Sequence, residues 1–500
     1  MIDHLIEIVV DDLPALQIAV PLLAATLCII ARRRRTAWVI AMVVAWASFL
    51  NAMLILRRVM TEGTISYAEG GWRAPWGIEL RIDSLNALVL LIVTGICAIV
   101  LTAAPRSLAQ EVPRSKHYIV YAVYLLCMTG LAGMTVTGDA FNIFVFLEIS
   151  SLSSYALISQ GSTRRALSSA IQYLIMGTIG GTFILLGIGM IYMVTGTLNI
   201  VDMSNQLAAV GPNRAVLVAL ACIAVGTAIK LALFPLHIWL PNAYTYAPAV
   251  VTAFLAATAT KVAYYVLLRF VFSVFGVDLA FGALRLDVVL MGLALLAMVA
   301  GSIVAIFQHD IKRMLAYSSV AQIGYMVLGL SLVSVAGLTG GIVHLFNHAL
   351  MKSGLFLVMA CVLLRTGSTR LEAFQGLGRR MPITMAAFVV AGLSLIGVPA
   401  TVGFVSKWYL VTGAIESGHW PVAVVILVSS LLALIYIWRV VEVAYFRPAP
   451  EDAPEIGEAP LSLLGPTWLL VGATVFFGIF TSLSVGVASD AARMLLGMMP

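Results

Sequence analysis

Apolar runs of about 20 residues recur from one end of this 500-residue chain to the other, and that recurrence decides what the chain can be. At 1.5 Å per helical residue, each run crosses a hydrocarbon layer roughly 30 Å thick. Apolar residues make up 61% of the chain and charged residues only 10%, too few charges to cover a soluble body of this size. The expected fold is therefore an all-α polytopic membrane protein, one membrane domain over 1–500. Reading runs against breakers places about fourteen transmembrane helices near 14–31, 37–56, 84–104, 117–136, 139–160, 166–195, 214–233, 248–272, 284–307, 313–335, 340–364, 383–416, 421–446 and 463–484.

The charges that remain orient this bundle. The N-terminal stretch carries Asp3, Glu7, Asp11 and Asp12 where a secretory signal would carry Lys or Arg, so the first run is expected to stay as a retained helix. With the N-terminus outside, one side receives Arg32 to Arg35, Arg106, Arg114, Lys116, Arg164, Arg165, Lys312, Arg313, Arg365, Arg370, Arg379, Arg380, Arg439 and Arg447. The other receives Arg57, Arg58, Arg73, Arg81, Arg214, Arg269, Arg285 and Arg493, so the balance is seventeen to eight. The positive side faces the cytoplasm, which predicts a bacterial inner-membrane protein with both termini periplasmic; an odd helix count would move the C-terminus inside. The net charge of +6 belongs to this asymmetry and implies no nucleic-acid partner.

Several chemistries are excluded. The five cysteines, Cys28, Cys97, Cys127, Cys222 and Cys361, lie in apolar runs with no CxxC spacing, so disulfides, zinc and iron–sulfur clusters are not expected. No Walker loop and no GxGxxG after a strand is present. No cofactor and no metal is expected. The longest polar insertions are 57–83, whose alternation predicts a short β-hairpin, and 447–460 with Pro448, Pro450, Pro454 and Pro460. Gly177 and Gly181 form a GxxxG pair, read as close helix packing.

The informative residues are charges inside apolar spans. Of six lysines, Lys116 and Lys312 fall in loops, while Lys230, Lys261, Lys352 and Lys407 lie within or beside spans. An ammonium near the midplane costs about 2.5–3.5 kcal/mol on insertion scales. Lysine can give up its proton when buried and arginine cannot, so a chain with 23 arginines and only lysines deep inside is built for proton exchange. Lys352, near Arg365, could also snorkel to an interface. Glu148, among Phe144, Val145, Phe146 and Leu147, is the matching acid, expected to pair with a lysine as a switch or as a purely structural ion pair. Asp139 and Asp83 open helices and are read first as helix N-terminal charges.

Two spans are interrupted, the seventh at Pro235 and the twelfth at Pro399. Backbone freed at membrane depth survives only where protein or water satisfies it. The segments 117–272 and 284–446 each hold five spans with the broken one fourth, which predicts two inverted five-helix repeats around an ion path. Between the breaks, His344, His348 and Lys352 stand at i, i+4, i+8 on one helical stripe. They form a proton wire, or the histidines serve the carbonyls freed near Pro399; a metal site would need a third ligand that is not evident.

The strings GDAFNIFVFLEISSLSSYAL, KLALFPLHIWLPNAYTYAPAVVTAFLAATATKVAYYVLLRF, QHDIKRMLAYSSVAQIGYMVLG, HLFNHALMKSGLFL and GVPATVGFVSKW closely resemble the antiporter-like membrane subunits shared by Mrp-type antiporters, respiratory complex I and membrane-bound hydrogenases. The resemblance covers most of 70–445. A length of 500 and the segment GGWRAPWGIELRIDSLNAL resemble the D-type branch of the Mrp subunits, although Asn242 stands where many relatives have Asp and Ala400–Thr401 departs from the usual context. The resemblance implies that Glu148 pairs with Lys230, and that protons pass by Lys261, His344 and His348 to Lys407. It also implies a subunit of a hetero-oligomeric Na⁺ or K⁺/H⁺ antiporter, a secondary transporter and not an enzyme, with other membrane subunits as partners. The alternatives are a proton-pumping subunit of a redox complex, and a scaffold whose channel is dead.

Overall fold

The computed structural model describes residues 11–451 and 455–498; Asp3, Glu7 and Pro454 lie outside the described residues. Helices α1 (Leu13–Ala31) and α2 (Arg34–Glu62) lead into an antiparallel hairpin of β1 (Ile65–Ala68) and β2 (Glu79–Ile82), with Ile65 opposite Ile82 and Ala68 opposite Glu79. There follow α3 (Ser84–Glu111), α4 (His117–Val136), α5 (Ala140–Ile158), α6 (Arg164–Thr195), the short α7 (Ile200–Val210) and α8 (Arg214–Leu231). Next come α9 (Trp239–Tyr246), α10 (Ala249–Leu268, continuing as a wider helical turn to Val274), α11 (Leu286–Ile306), α12 (Ile311–Ser331) and α13 (Val335–Thr366). The chain ends with α14 (Pro382–Ile396), α15 (Val402–Glu416), α16 (Trp420–Phe446), α17 (Leu461–Ile479) and α18 (Ser482–Leu495).

Among the described residues, thirteen helices are long and apolar enough to cross a membrane. The fifteen-residue α14 and α15, about 22 Å each at 1.5 Å per residue, are too short to count among the thirteen, so the expected span over 383–416 is divided into two half-length helices. Both expected breaks are present. α8 stops at Leu231, with Ala232 in the left-handed region, before Pro235 and α9; α14 stops at Ile396, with Gly397 at φ 95°.

The spans sort into layers. The apolar stretches of α3, α10 and α12 are 83 to 94% buried, whereas those of α1, α2, α6, α11, α16 and α17 are 28 to 39% buried. Leucines and isoleucines cover this outer surface, as lipid or neighbouring subunits require. The ionisable residues lie on the inner layer or at its edge.

The sequence reading missed α7 and α18. Each buries one stripe (Ile200, Met203 and Leu207 in α7) without a continuous apolar run to announce it. Two charges assigned to loops are corrected. Lys312 is buried in the first turn of α12, where its Nζ donates to the Ala247 carbonyl at 2.7 Å. Arg269 is buried at the end of α10 and pairs with Asp83 at 2.8 Å. Asp83 also caps α3, accepting from the amides of Leu85 and Asn86. Glu79 of the hairpin is held below the usual carboxylate range. Burial alone would raise it, but hydrogen bonds from Ser66 and Asn199 and the charge of Arg81 outweigh that cost.

Candidate functional site

The first broken span assembles an acid–base pair. α5 carries Glu148 against α6, and the GxxxG glycines are what make room for it. A Cβ on Gly181 would collide with the Glu148 carboxylate, and one on Gly177 with the Tyr155 hydroxyl. Lys230, on the last turn of α8, places Nζ 3.6 Å from Glu148 Oε1 and donates to Ser151 Oγ at 2.8 Å. The lysine side chain is 6% exposed and the glutamate side chain 28%, with the Oε1 that faces Lys230 buried, so the acid stands nearer the outer surface than the amine. At that separation and an effective dielectric near 20, attraction is about 4.6 kcal/mol, which helps hold both charges at depth. The carbonyl of Ile229, which takes the Ala232 amide at the helix end, also accepts from the Trp239 indole at 2.9 Å, and Trp239 stacks flat on Tyr173 at 3.9 Å. Lys230 is thereby left free of backbone duty.

The middle of the array has no acid. Lys261 on α10 is fully buried, and its ammonium donates to the carbonyl of Ala256 and, at 3.3 Å, to the Thr260 hydroxyl. Lys352 on α13 is also fully buried and donates to the Leu315 carbonyl at 2.8 Å and to Ser318, so it does not snorkel. His348 lies within electrostatic reach of both lysines, and neither of its ring nitrogens has a hydrogen-bond partner among the described residues. His344, one turn away, stacks on it with ring centres 5.9 Å apart. The Nδ1 of His344 is 2.8 Å from Ser406 Oγ, and its ring lies 5.4 Å from that of Tyr325.

At the second broken span, Lys407 reaches back from α15 to the end of α14. Its Nζ donates to the carbonyls of Leu395 at 3.1 Å and Ile396 at 2.7 Å and to Ser430 Oγ at 2.9 Å, and sits 4.9 Å above the Tyr325 ring. A helix C-terminus carries partial negative charge, so these carbonyls stabilise an ammonium without a carboxylate. Gly397 allows the approach: its positive φ suits glycine, and a Cβ there would stand 2.9 Å from Lys407 Cδ. Asn347 Nδ2 donates to the Val402 carbonyl at 2.6 Å. Lys407 and Asn347, not the histidines, serve backbone around this break.

Every residue expected in the site is therefore buried or half-buried. Glu148 meets Lys230; His344 meets His348; Tyr325 and Ser406 connect His344 to the α15 region. No direct contact joins Lys230 to Lys261. Ser151, Ser318, Tyr325, Asn347 and Ser430 were not foreseen. Ser151 was readable, since it stands three residues after Glu148 on the same helical face. Tyr325 and Ser430 come from other helices and carry no sequence signal. Among the described residues no group of three or more His, Cys, Asp or Glu side chains could hold a metal ion. Lysines, stacked imidazoles and hydroxyls in this order can load, pass and release protons.

Residues 137–433 match the family described as NADH:quinone oxidoreductase/Mrp antiporter, transmembrane. The N subunit of the NADH-quinone oxidoreductase of Desulforudis audaxviator is 45% identical over 427 residues, 83% of this chain and 84% of that one. The D-type subunit of the Na⁺/H⁺ antiporter of Bacillus subtilis is 29% identical over 482 residues, 96% of each. Among solved structures, a chain of the Mrp complex from Dietzia sp. superposes with a TM-score of 0.90 at 27% identity, covering 98% of both chains.

Proposed function

The chain belongs to the NADH:quinone oxidoreductase/Mrp antiporter membrane family, and from that premise we propose that it is the proton-translocating subunit of a multisubunit Na⁺ or K⁺/H⁺ antiporter. The observation that carries this reading is the buried array itself. An acid–lysine pair stands at one broken span, a carbonyl-cradled lysine at the other, and Lys261, His348 and His344 lie between them. A scaffold with a dead channel has no physical reason to hold so many costly charges at depth.

In this reading a proton arriving at Glu148 neutralises the carboxylate and releases Lys230 from its partner at 3.6 Å. The freed ammonium raises the cost of a second positive charge at Lys261, and the displaced proton moves by way of His348 and His344 toward Lys407. Waters can bridge steps that lack direct contact. The segments 117–272 and 284–446 act as two inverted copies, each contributing one broken span. Both termini face the periplasm of the bacterial inner membrane, and other membrane subunits complete the complex.

A second reading is favoured by the 45% identity to the N subunit of the D. audaxviator oxidoreductase: a proton-carrying subunit of a redox-driven complex, with electron carriers in its neighbours. One preparation separates the two. The chain is purified with its native partners and also assayed in everted vesicles. Proton movement driven by added Na⁺ or K⁺, and abolished by Glu148→Ala, supports the antiporter. Co-purifying flavin or iron–sulfur subunits, with pumping that needs an electron donor and ignores Na⁺ and K⁺, overturns it in favour of the redox complex.

A further inference from the structure

Away from the relay, at the end of the bundle bearing Arg32 to Arg35, α2, α3, α4 and the turn leading into α4 line a half-open surface cavity of about 340 Å³. Arg34, Arg35, Arg106 and Arg114 line it, together with Trp38 and Tyr121. Among the described residues none of the four guanidinium groups forms an ion pair or a side-chain hydrogen bond. The general excess of arginine on one side of a membrane protein accounts for their side. It does not account for their convergence on one cavity with no carboxylate to answer them.

Two further observations point to an anion there. Tyr121 is 1% exposed, lines this cavity, and its hydroxyl has no hydrogen-bond partner. A buried hydroxyl left without a partner is costly, so it calls for a ligand acceptor. The N-terminus of the 29-residue α2 also opens here, and no side chain caps it. Its first amides point out of the helix with partial positive charge.

Deeper along their axes, α2 and α3 also line an apolar crevice. This crevice, of about 390 Å³, is lined by Trp46 and Phe49 of α2, Ile92 and Ile99 of α3, and Phe346 and Leu350 of α13. Ile99 and Ile92 fall on the stripe of Arg106 at intervals of seven residues, and Ile99 lies roughly 10 Å below it along the axis. Trp46 lies eight residues after Trp38, about 12 Å further into the bilayer. A basic cavity at the membrane surface above an apolar crevice at that depth matches one chemistry: a phosphate headgroup with acyl chains attached.

We propose that this is a binding site for an anionic phospholipid, with its phosphate held by Arg34, Arg35, Arg106 and Arg114, the Tyr121 hydroxyl and the α2 N-terminus, and its chains laid in the Trp46–Phe49–Ile99 crevice. Phe346 and Leu350 flank His348 on α13, so the chains pack against the helix that carries the histidine stripe. A bound lipid therefore restrains that helix from its lipid side. The site stands whether the complex is an antiporter or redox-driven.

The test is native mass spectrometry and thermal shift on the intact, delipidated complex, titrated with dioleoyl phosphatidylglycerol, dioleoyl phosphatidylcholine and inorganic phosphate. The expected result is binding of phosphatidylglycerol about tenfold or more above phosphatidylcholine, with inorganic phosphate far weaker. The preference should be lost in Arg34→Gln/Arg106→Gln and reduced severalfold in Tyr121→Phe, which removes one hydroxyl and keeps the tests alive if the double variant fails to assemble. Equal binding of the two lipids would overturn the proposal. So would competition by inorganic phosphate at matched concentration, or an unchanged preference in the variant that assembles.

Discussion

Lys230 and Lys407 sit at the two broken spans, and their surroundings differ in one decisive respect. Lys230 stands before its break, on the last turn of α8, and faces a carboxylate; the broken backbone beside it is served by the Trp239 indole. Lys407 stands after its break, on α15, and serves the broken backbone itself through the carbonyls of Leu395 and Ile396. A carboxylate can be discharged by a proton, and its attraction for the lysine then vanishes. Backbone carbonyls cannot be discharged, and they accept N–H donors from an amine as from an ammonium. The first break is therefore built to change its electrostatics when a proton arrives. The second is built to hold one geometry in either charge state. On the proposed reading, the first half is the switch and the second the terminus.

The largest expected effect follows from removing the dischargeable partner. Glu148→Ala leaves Lys230 buried and uncompensated, a loss of about 3–5 kcal/mol. Exchange in everted vesicles should fall by about two orders of magnitude while the complex still assembles. Glu148→Ala combined with Lys230→Ala should recover melting temperature without recovering exchange. Undiminished exchange in the single variant would remove the switch from the account.

Lys261 lies between the halves with no acid beside it, so its use depends on giving up a proton. Arginine there keeps the charge and loses that ability. Lys261→Arg should therefore be nearly as damaging as Lys261→Ala, a drop of about tenfold or more. Normal exchange in the arginine variant would make Lys261 an electrostatic fixture.

The terminus is tested by His348→Leu with Lys407→Ala. Exchange should be lost through the missing carriers, and a wild-type rate in this pair would refute the second half of the path. Gly397→Ala is milder. It forces a side chain onto a positive φ and against the Lys407 stem, a cost of about 1–3 kcal/mol seen as a lower melting temperature with reduced exchange. The smallest effect belongs to the first break, where Ala232 holds φ 59° without glycine. Ala232→Gly should relieve about 1 kcal/mol of strain and leave exchange unchanged, because Lys230 does not lean on that turn.

Much of this was legible in advance because the membrane imposes a simple grammar. An apolar run must be a span, a proline in a span must be a break, and a lysine or glutamate in a span must have a reason. Those rules located thirteen long spans and both breaks, and they marked Glu148, Lys230, Lys261 and Lys407 as residues that must be buried with a partner, while His344 and His348 were picked out by their spacing on one stripe. They placed Lys312 and Arg269 wrongly, because a charge near a span end looks like a loop charge until its partner is known. The partners are the Ala247 carbonyl and Asp83, 65 and 186 residues away. They also read Gly177 and Gly181 as packing alone, when Gly181 makes the space for the Glu148 carboxylate as well.

The sequence by itself determined which residues are costly in lipid, and so which must be buried, paired or functional, because the cost of desolvating a charge is a property of the residue and its span. What served each charge was decided only by the tertiary structure. An ammonium is satisfied equally by a carboxylate, a hydroxyl or a pair of carbonyls, and spacing along the chain does not choose among them. Packing of α5 and α8 on either side of α6 gave Lys230 an acid, and the kink at Gly397 gave Lys407 the end of a helix. That choice of counter-charge, invisible in the residue order, is what separates a site that a proton can switch from one that it cannot.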